Sequence, residues 1–168
     1  MANFNSYLDG LKQKDDEAFA YIYNQTKHSV FLIIKSIVKN NMACEDIMQD
    51  TYITMLEKIN QFNPDKNFLT WLLTIARNKA IDYYRRKQKE MLVDDADCEF
   101  LFFNHSDNSE SQLMVRDMLN SLSEIERTIF LLNILNQVKC KDIAKILELP
   151  LGTVLWHMSN AKKKIKKY

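Results

Sequence analysis

Apolar residues recur along most of this chain at spacings of three and four, the period of one face of an α-helix. After a short polar lead-in over Asn3 to Gly10, the sequence repeats Ala18, Phe19, Tyr21, Ile22 and Tyr23, then Val30, Phe31, Ile33, Ile34, Ile37 and Val38. That pattern predicts core-facing helices whose aromatic residues belong to packing. Beyond a break at Asn40-Asn41, a helix over Cys44 to Asn60 places Ile47, Met48, Thr51, Met55, Leu56 and Ile59 on one side and Glu45, Asp46, Gln49, Asp50 and Glu57 elsewhere. Asn63-Pro64 ends it, because proline disfavours helical geometry in the residue before it, and Asp65 to Asn67 form a loop. The next helix, over Trp71 to Arg86, packs through Leu72, Ile75, Ala76, Lys79 and Tyr83 and turns Asn78, Asp82, Arg85 and Arg86 to another face.

The second half repeats the logic in shorter pieces. Leu113, Val115, Met118, Leu119 and Leu122 suggest one helix, and Ser123-Glu124-Ile125-Glu126 has the spacing of a capping box that starts another. Its inner face continues through Ile125, Ile129, Leu132 and Leu135 or Asn136. A short helix over Lys141 to Leu147, a tight turn at Glu148-Leu149 and a longer helix over Pro150 to Lys167 follow, with proline near the first turn, where its missing amide hydrogen is harmless. Two helices joined by a tight turn make a helix-turn-helix.

Composition supports an all-α reading: 46% hydrophobic and 27% charged residues with only two glycines and two prolines belong to a globular, strongly helical chain. The expected architecture is two small helical domains, residues 1–89 and 112–168, joined by an acidic linker over residues 90–111. A domain of about 80 residues buries only some 60–65% of its unfolded surface, so each half is marginally stable alone.

No run of eighteen apolar residues occurs and Met1 to Gly10 lacks a basic segment followed by an apolar one, so neither a membrane span nor a signal peptide is expected and the protein should be cytoplasmic. Cys44, Cys98 and Cys140 are far apart, and His28, His105 and His157 do not sit beside them at metal-ligand spacing, which predicts reduced thiols and no metal. No cofactor is implied. An enzyme is disfavoured because no nucleophile has a base beside it, no glycine loop could cradle a phosphate, and the paired carboxylates Asp94-Asp95 lie in the linker.

The net charge of +1 hides a segregation. Residues 71–89 carry six Lys or Arg against one Asp, residues 90–111 carry seven Asp or Glu and no Lys or Arg, and residues 139–168 carry eight Lys against one Asp and one Glu. Two basic blocks thus flank an acidic one. Within the acidic block, Phe100-Leu101-Phe102-Phe103 should pack on a domain or a partner, because exposing three phenylalanines is unfavourable.

The first basic block also carries rings. Trp71, Tyr83 and Tyr84 can stack on unpaired bases, worth about 1–3 kcal/mol each, while Arg77, Lys79, Arg85, Arg86, Lys87 and Lys89 can track phosphates. Spacing alone equally fits an amphipathic core helix with a solvated basic end. The string itself says more. Trp-Leu-x-x-Ile-Ala-Arg-Asn at 71 to 78, followed by Ile81-Asp82-Tyr83-Tyr84-Arg85-Arg86, resembles the promoter-melting helix of extracytoplasmic-function sigma factors, the small specificity subunits of bacterial RNA polymerase. Upstream, Glu45-Asp46-Ile47-x-Gln49-Asp50 is similar to that family's motif for gripping the clamp coiled coil of the polymerase. Downstream, Asp142-Ile143-Ala144-x-x-Leu147 and Gly152-Thr153-Val154 resemble its second DNA-binding module.

The resemblance implies binding to core RNA polymerase through Glu45, Asp46, Ile47, Gln49 and Asp50. It implies contact with the downstream promoter element through Asn67, Trp71, Arg77, Asn78, Lys79, Asp82, Tyr83, Tyr84, Arg85 and Arg86, with the loop over Asn63 to Asn67 capturing a flipped base. For the upstream element it points to Gly152, Thr153, Leu155, Trp156, His157, Asn160, Lys162 and Lys163. It also implies a linker threaded through a basic polymerase channel and an anti-sigma factor as a further partner.

Two departures stand out. Glu148 occupies the turn where the family usually has glycine, and Leu155, Trp156, His157, Ser159 and Asn160 replace its basic and small polar residues, so base contacts do not carry over. Asn160 could read adenine and Trp156 could meet a thymine methyl group or simply pack, while Lys162, Lys163 and Lys164 supply phosphate charge or a solvated tail. The competing reading is a stand-alone helix-turn-helix regulator. It explains residues 112–168 equally well but not the aromatic-basic string at Trp71 to Arg86, and it predicts specific duplex binding without polymerase.

Overall fold

Four amphipathic helices bury their apolar stripes against one another to form the first unit of the chain. The computed structural model describes residues 4–89 and 110–167 and divides into two compact units, Met1–Ala96 and Asp97–Tyr168. Every regular element among the described residues is helical. The expectations placed on Asp94-Asp95, Cys98, Phe100 to Phe103 and His105 lie outside the described residues.

The stretch expected to be a polar lead-in is itself a helix, α1 (Asn5–Lys12), because Leu8 and Leu11 lie one turn apart and both are buried. Helix α2 (Asp16–Lys35) begins where Asp15 accepts the backbone N–H of Glu17, and buries Ile22, Val30, Ile33 and Ile34. At Gly10 α1 and α2 approach closely: a Cβ there would sit 2.8 Å from the Cβ of Ala18. Helix α3 (Asn41–Lys58) starts earlier than the expected Cys44, because Asn40 caps it by accepting the N–H of Ala43 at 3.0 Å. A 3-10 turn over Ile59–Gln61 leads to the loop before α4 (Phe68–Lys89).

One polar pair sits inside this bundle. The Thr26 hydroxyl lies 2.7 Å from the Ile22 carbonyl oxygen and 2.8 Å from the Tyr52 hydroxyl. A carbonyl only accepts, so Thr26 donates to Ile22 and Tyr52 donates to Thr26. Burial pushes the Tyr52 phenol above its ordinary range. Phe19 and Tyr23 close over it, with ring centroids 6.1 and 5.0 Å from that of Tyr52.

The packing stripe of α4 is turned from the expected one. Leu72, Leu73, Ala76 and Ala80 are fully buried, whereas Ile75, Lys79 and Tyr83 are only half-buried. The helix packs on both α2 and α3, so its buried arc is wide and centres on the small residues that let two neighbours approach.

In the second unit, α5 (Glu110–Asn120) leads into α6 (Glu124–Asn136), whose start is the anticipated capping box. Glu126 accepts the Ser123 N–H at 2.9 Å and the Lys164 ammonium at 2.7 Å, tying the first turn of α6 to the last turn of the final helix. Burial raises the Glu126 carboxyl, but the hydrogen bonds from Lys164 and Ser123 outweigh it and hold the group below its ordinary value.

Ile129 and Leu132 carry the inner face of α6 as expected, but Leu135 does not: it is 57% exposed. The chain leaves the helix at Gln137, which adopts left-handed geometry, and Val138 takes the core position instead. Helix α7 (Cys140–Leu147) and helix α8 (Leu151–Ile165) form the helix-turn-helix. Glu148 between them adopts φ 52° and ψ 40°, the conformation that glycine would take without cost. The turn closes as a Schellman motif, with the Leu149 N–H on the Ala144 carbonyl and the Glu148 N–H on the Lys145 carbonyl.

Candidate nucleic-acid and docking surfaces

On α3, Ala43, Cys44, Ile47, Thr51 and Met55 face the core. Met42, Asp46, Gln49, Ile53 and Leu56 follow one another at alternating steps of four and three along the opposite side and are all exposed, Met42 by 79% and Ile53 by 54%. Such a stripe is shaped to lie along another helix. Glu45, Asp46, Gln49 and Asp50 are exposed where the sequence puts them. Ile47 is not on this surface: only 7% exposed, it holds the helix in place. Two residues expected in different roles prove to be partners, since the Lys79 ammonium sits 2.7 Å from the Asp50 carboxylate and links α4 to α3. Met42, Ile53 and Leu56 are surface residues that sequence reasoning missed, Leu56 being expected on the packed side, although the heptad step through Asp46 and Gln49 could have found them.

The loop before α4 is built from its own side chains. Asn63 accepts the Asp65 N–H at 2.9 Å, and Asn67 accepts both the N–H and the hydroxyl of Thr70, at 2.8 and 3.1 Å, capping α4. The Asn67 carbonyl oxygen is therefore engaged within the chain, while residues 63–67 are exposed throughout. Trp71 is half-buried in a ring cluster, 4.9 Å from Phe62 and 5.7 Å from Phe68 by centroid, so it braces the loop from behind. Along α4, Thr74, Asn78, Asp82 and Arg85 mark the outward side, with Arg86 and Lys87 exposed beyond them and Arg77 half-buried. Tyr84 is 47% exposed, whereas Tyr83 is half-buried about 100° round the helix from it. The two tyrosines thus do not present one continuous stacking face.

In the second unit, Val154, Met158 and Ala161 anchor α8. Gly152, Leu155, Trp156, Ser159, Lys162 and Lys163 are exposed, while Thr153, His157 and Asn160 are half-buried. His157 lies edge-on to the Trp156 ring, with centroids 4.8 Å apart. Lys164, the last of the lysine run, is engaged by Glu126 at 2.7 Å. No group of three His, Cys, Asp or Glu suited to a metal occurs among the described residues, and no described helix is long and apolar enough to cross a membrane.

Comparison with known families finds two matches in this order along the chain. Sigma-70 region 2 matches residues 22–90, and the sigma-70 region 4 family matches residues 112–165. The chain belongs to the extracytoplasmic-function sigma factors. Its similarity to characterised members runs nearly end to end. It is 25% identical to the sigma factor SigW of Bacillus subtilis, over 94% of this chain and 91% of the relative, and 26% identical to the sigma-E factor of Haemophilus influenzae, over 95% and 91%. Among solved structures it resembles the sigma factor RpoE of Bartonella quintana, determined with the anti-sigma factor NepR, at a TM-score of 0.65 and 21% identity over 89% of this chain and 94% of that one.

Family membership gives the surfaces a common frame. Each matched region lies within one of the two helical units, so the sigma factor keeps its α3 stripe and its α4 basic face on one body and its helix-turn-helix on the other. It also decides between the two readings of the sequence in favour of an RNA polymerase sigma factor over a stand-alone regulator.

Proposed function

We propose that this sigma factor docks on core RNA polymerase through the outer stripe of α3, opens and reads the downstream promoter element with α4 and the loop before it, and reads the upstream element with α8. In domain terms, residues 1–89 carry the first two tasks, residues 112–168 the third, and residues 90–111 join them. The observation that best supports this reading is the pairing of surfaces on the first unit. A stripe of Met42, Asp46, Gln49, Ile53 and Leu56, fit for a helical partner with basic residues, lies on α3, and the exposed Asn78, Arg85 and Arg86 lie on the neighbouring α4.

The roles then divide by exposure. Glu45, Asp46 and Gln49 contact the polymerase, with Ile53 adding apolar area, and Asp50 serves chiefly to hold Lys79. Tyr84 is the stacking ring, Arg85 and Arg86 meet phosphates, and Trp71 with Tyr83 supports them from the inner side. The protein works in the cytoplasm and catalyses nothing itself; the polymerase performs the chemistry. The family resemblance adds an anti-sigma factor to the expected partners.

Asp46→Lys tests the docking role, because Asp46 is exposed and its charge has no structural task in the described fold. The variant should melt like the wild type yet lose core polymerase in a competition pull-down, while Asp50→Lys should lose some stability as well. Unchanged core affinity in Asp46→Lys would remove the docking role from α3.

A further inference from the structure

The outward side of α8 carries an aromatic ring where a hydrogen-bonding side chain would usually read a base. With Val154, Met158 and Ala161 fixing the inward side, the opposite side of the helix falls on Gly152, Trp156, Ser159 and Lys163. Trp156 is 61% exposed, and His157 stands edge-on to its ring, so the indole is steadied while its outer face stays open.

One turn before it stands Gly152. A Cβ placed there would meet nothing within 4 Å, and the residue has no positive φ. Neither packing nor backbone conformation inside the chain calls for glycine, which is a poorer helix former than alanine. The bare backbone beside the indole leaves room for something outside the chain.

Resting on the promoter reading above, we propose that Trp156 is a specificity-determining residue. Its ring packs on the 5-methyl group of a thymine in the upstream element, and Gly152 gives the duplex the clearance to reach it. The thymine methyl is the apolar feature on the major-groove edges of the bases, and an indole, with no acceptor and a single N–H donor, suits it better than the polar atoms around it. The exposed Lys162 and Lys163, about two turns further along the helix, supply charge for phosphates beyond that contact.

The test uses the full chain with a bacterial core RNA polymerase. A template pool randomised across the upstream element is transcribed, the enriched element is recovered, and each thymine in it is replaced in turn by deoxyuridine, which removes only the methyl group. Losing one buried methyl contact should lower the yield roughly fourfold at one or two positions. Trp156→Ala should be indifferent to the replacement and Trp156→Phe should keep part of the effect. Gly152→Ala should raise the melting temperature and nonetheless lower the yield from the same element. Wild-type protein indifferent to every deoxyuridine, or Trp156→Ala retaining the full effect, overturns the contact, and an undiminished yield from Gly152→Ala overturns the clearance. If the wild type with polymerase enriches no element at all, the promoter reading itself fails and takes this inference with it.

Discussion

The Thr26–Tyr52 pair predicts an asymmetry that a simple count of lost hydrogen bonds would miss. Because Thr26 donates to the Ile22 carbonyl, the only hydrogen shared between the two side chains belongs to Tyr52. Thr26→Val therefore leaves a buried phenol without an acceptor, which should cost about 1–3 kcal/mol. Tyr52→Phe leaves the Thr26 donor satisfied and should cost only about 0.5–1.5 kcal/mol. In the double variant the stranded donor is gone, so its loss should fall below the sum of the single ones. The two tryptophans lie in different units, so urea unfolding in a Trp156→Phe background, followed by Trp71 fluorescence, reports the first unit alone. The same series has a pH signature. The folded Tyr52 phenol titrates above its unfolded value, so its contribution is complete below about pH 10 and is lost as pH rises beyond it. Tyr52→Phe should flatten that alkaline limb. A Tyr52→Phe variant costing as much as Thr26→Val, or strict additivity in the double variant, would refute the donor assignment.

Three further outcomes can be checked by melting. Gly10→Ala should destabilise the first unit by about 1–3 kcal/mol, because the new Cβ meets that of Ala18 at 2.8 Å and the two helices must part; an unchanged midpoint would show that they give way freely. Glu148→Gly should stabilise the second unit by about 1 kcal/mol by removing the cost of left-handed geometry at a side-chain-bearing residue, and a lower midpoint would mean that the side chain holds the turn. Glu126, whose folded carboxyl titrates below its unfolded value, contributes in full above about pH 4.3 and loses its contribution as pH falls through the folded value. Glu126→Gln should therefore narrow the gap in stability between neutral and acidic pH, and an unchanged gap would refute the lowered titration of the Glu126 carboxyl.

Periodicity and short motifs were enough to read the helical class, the helix-turn-helix, the capping box at Ser123 and the three family strings, because each depends on neighbours within a turn or two of the chain. The positive φ at Glu148 is equally local: the Schellman closure of α7 needs it whether or not glycine is there. Helix α1 escaped notice because two leucines one turn apart are too brief a pattern to stand out from a polar segment. What the sequence could not decide is which side of each helix meets which neighbour. The buried arc of α4 shifted to Leu73 and Ala80 because two helices, not one, press on it. Asp50 and Lys79, 29 positions apart, became partners only when α3 and α4 packed together. Ile47 fell inside its motif and Met42 and Ile53 outside it, since a local string records which residue types occur but not the rotation at which the helix docks. That rotation is fixed by the volumes of side chains distant in sequence, and only the tertiary structure brings them together.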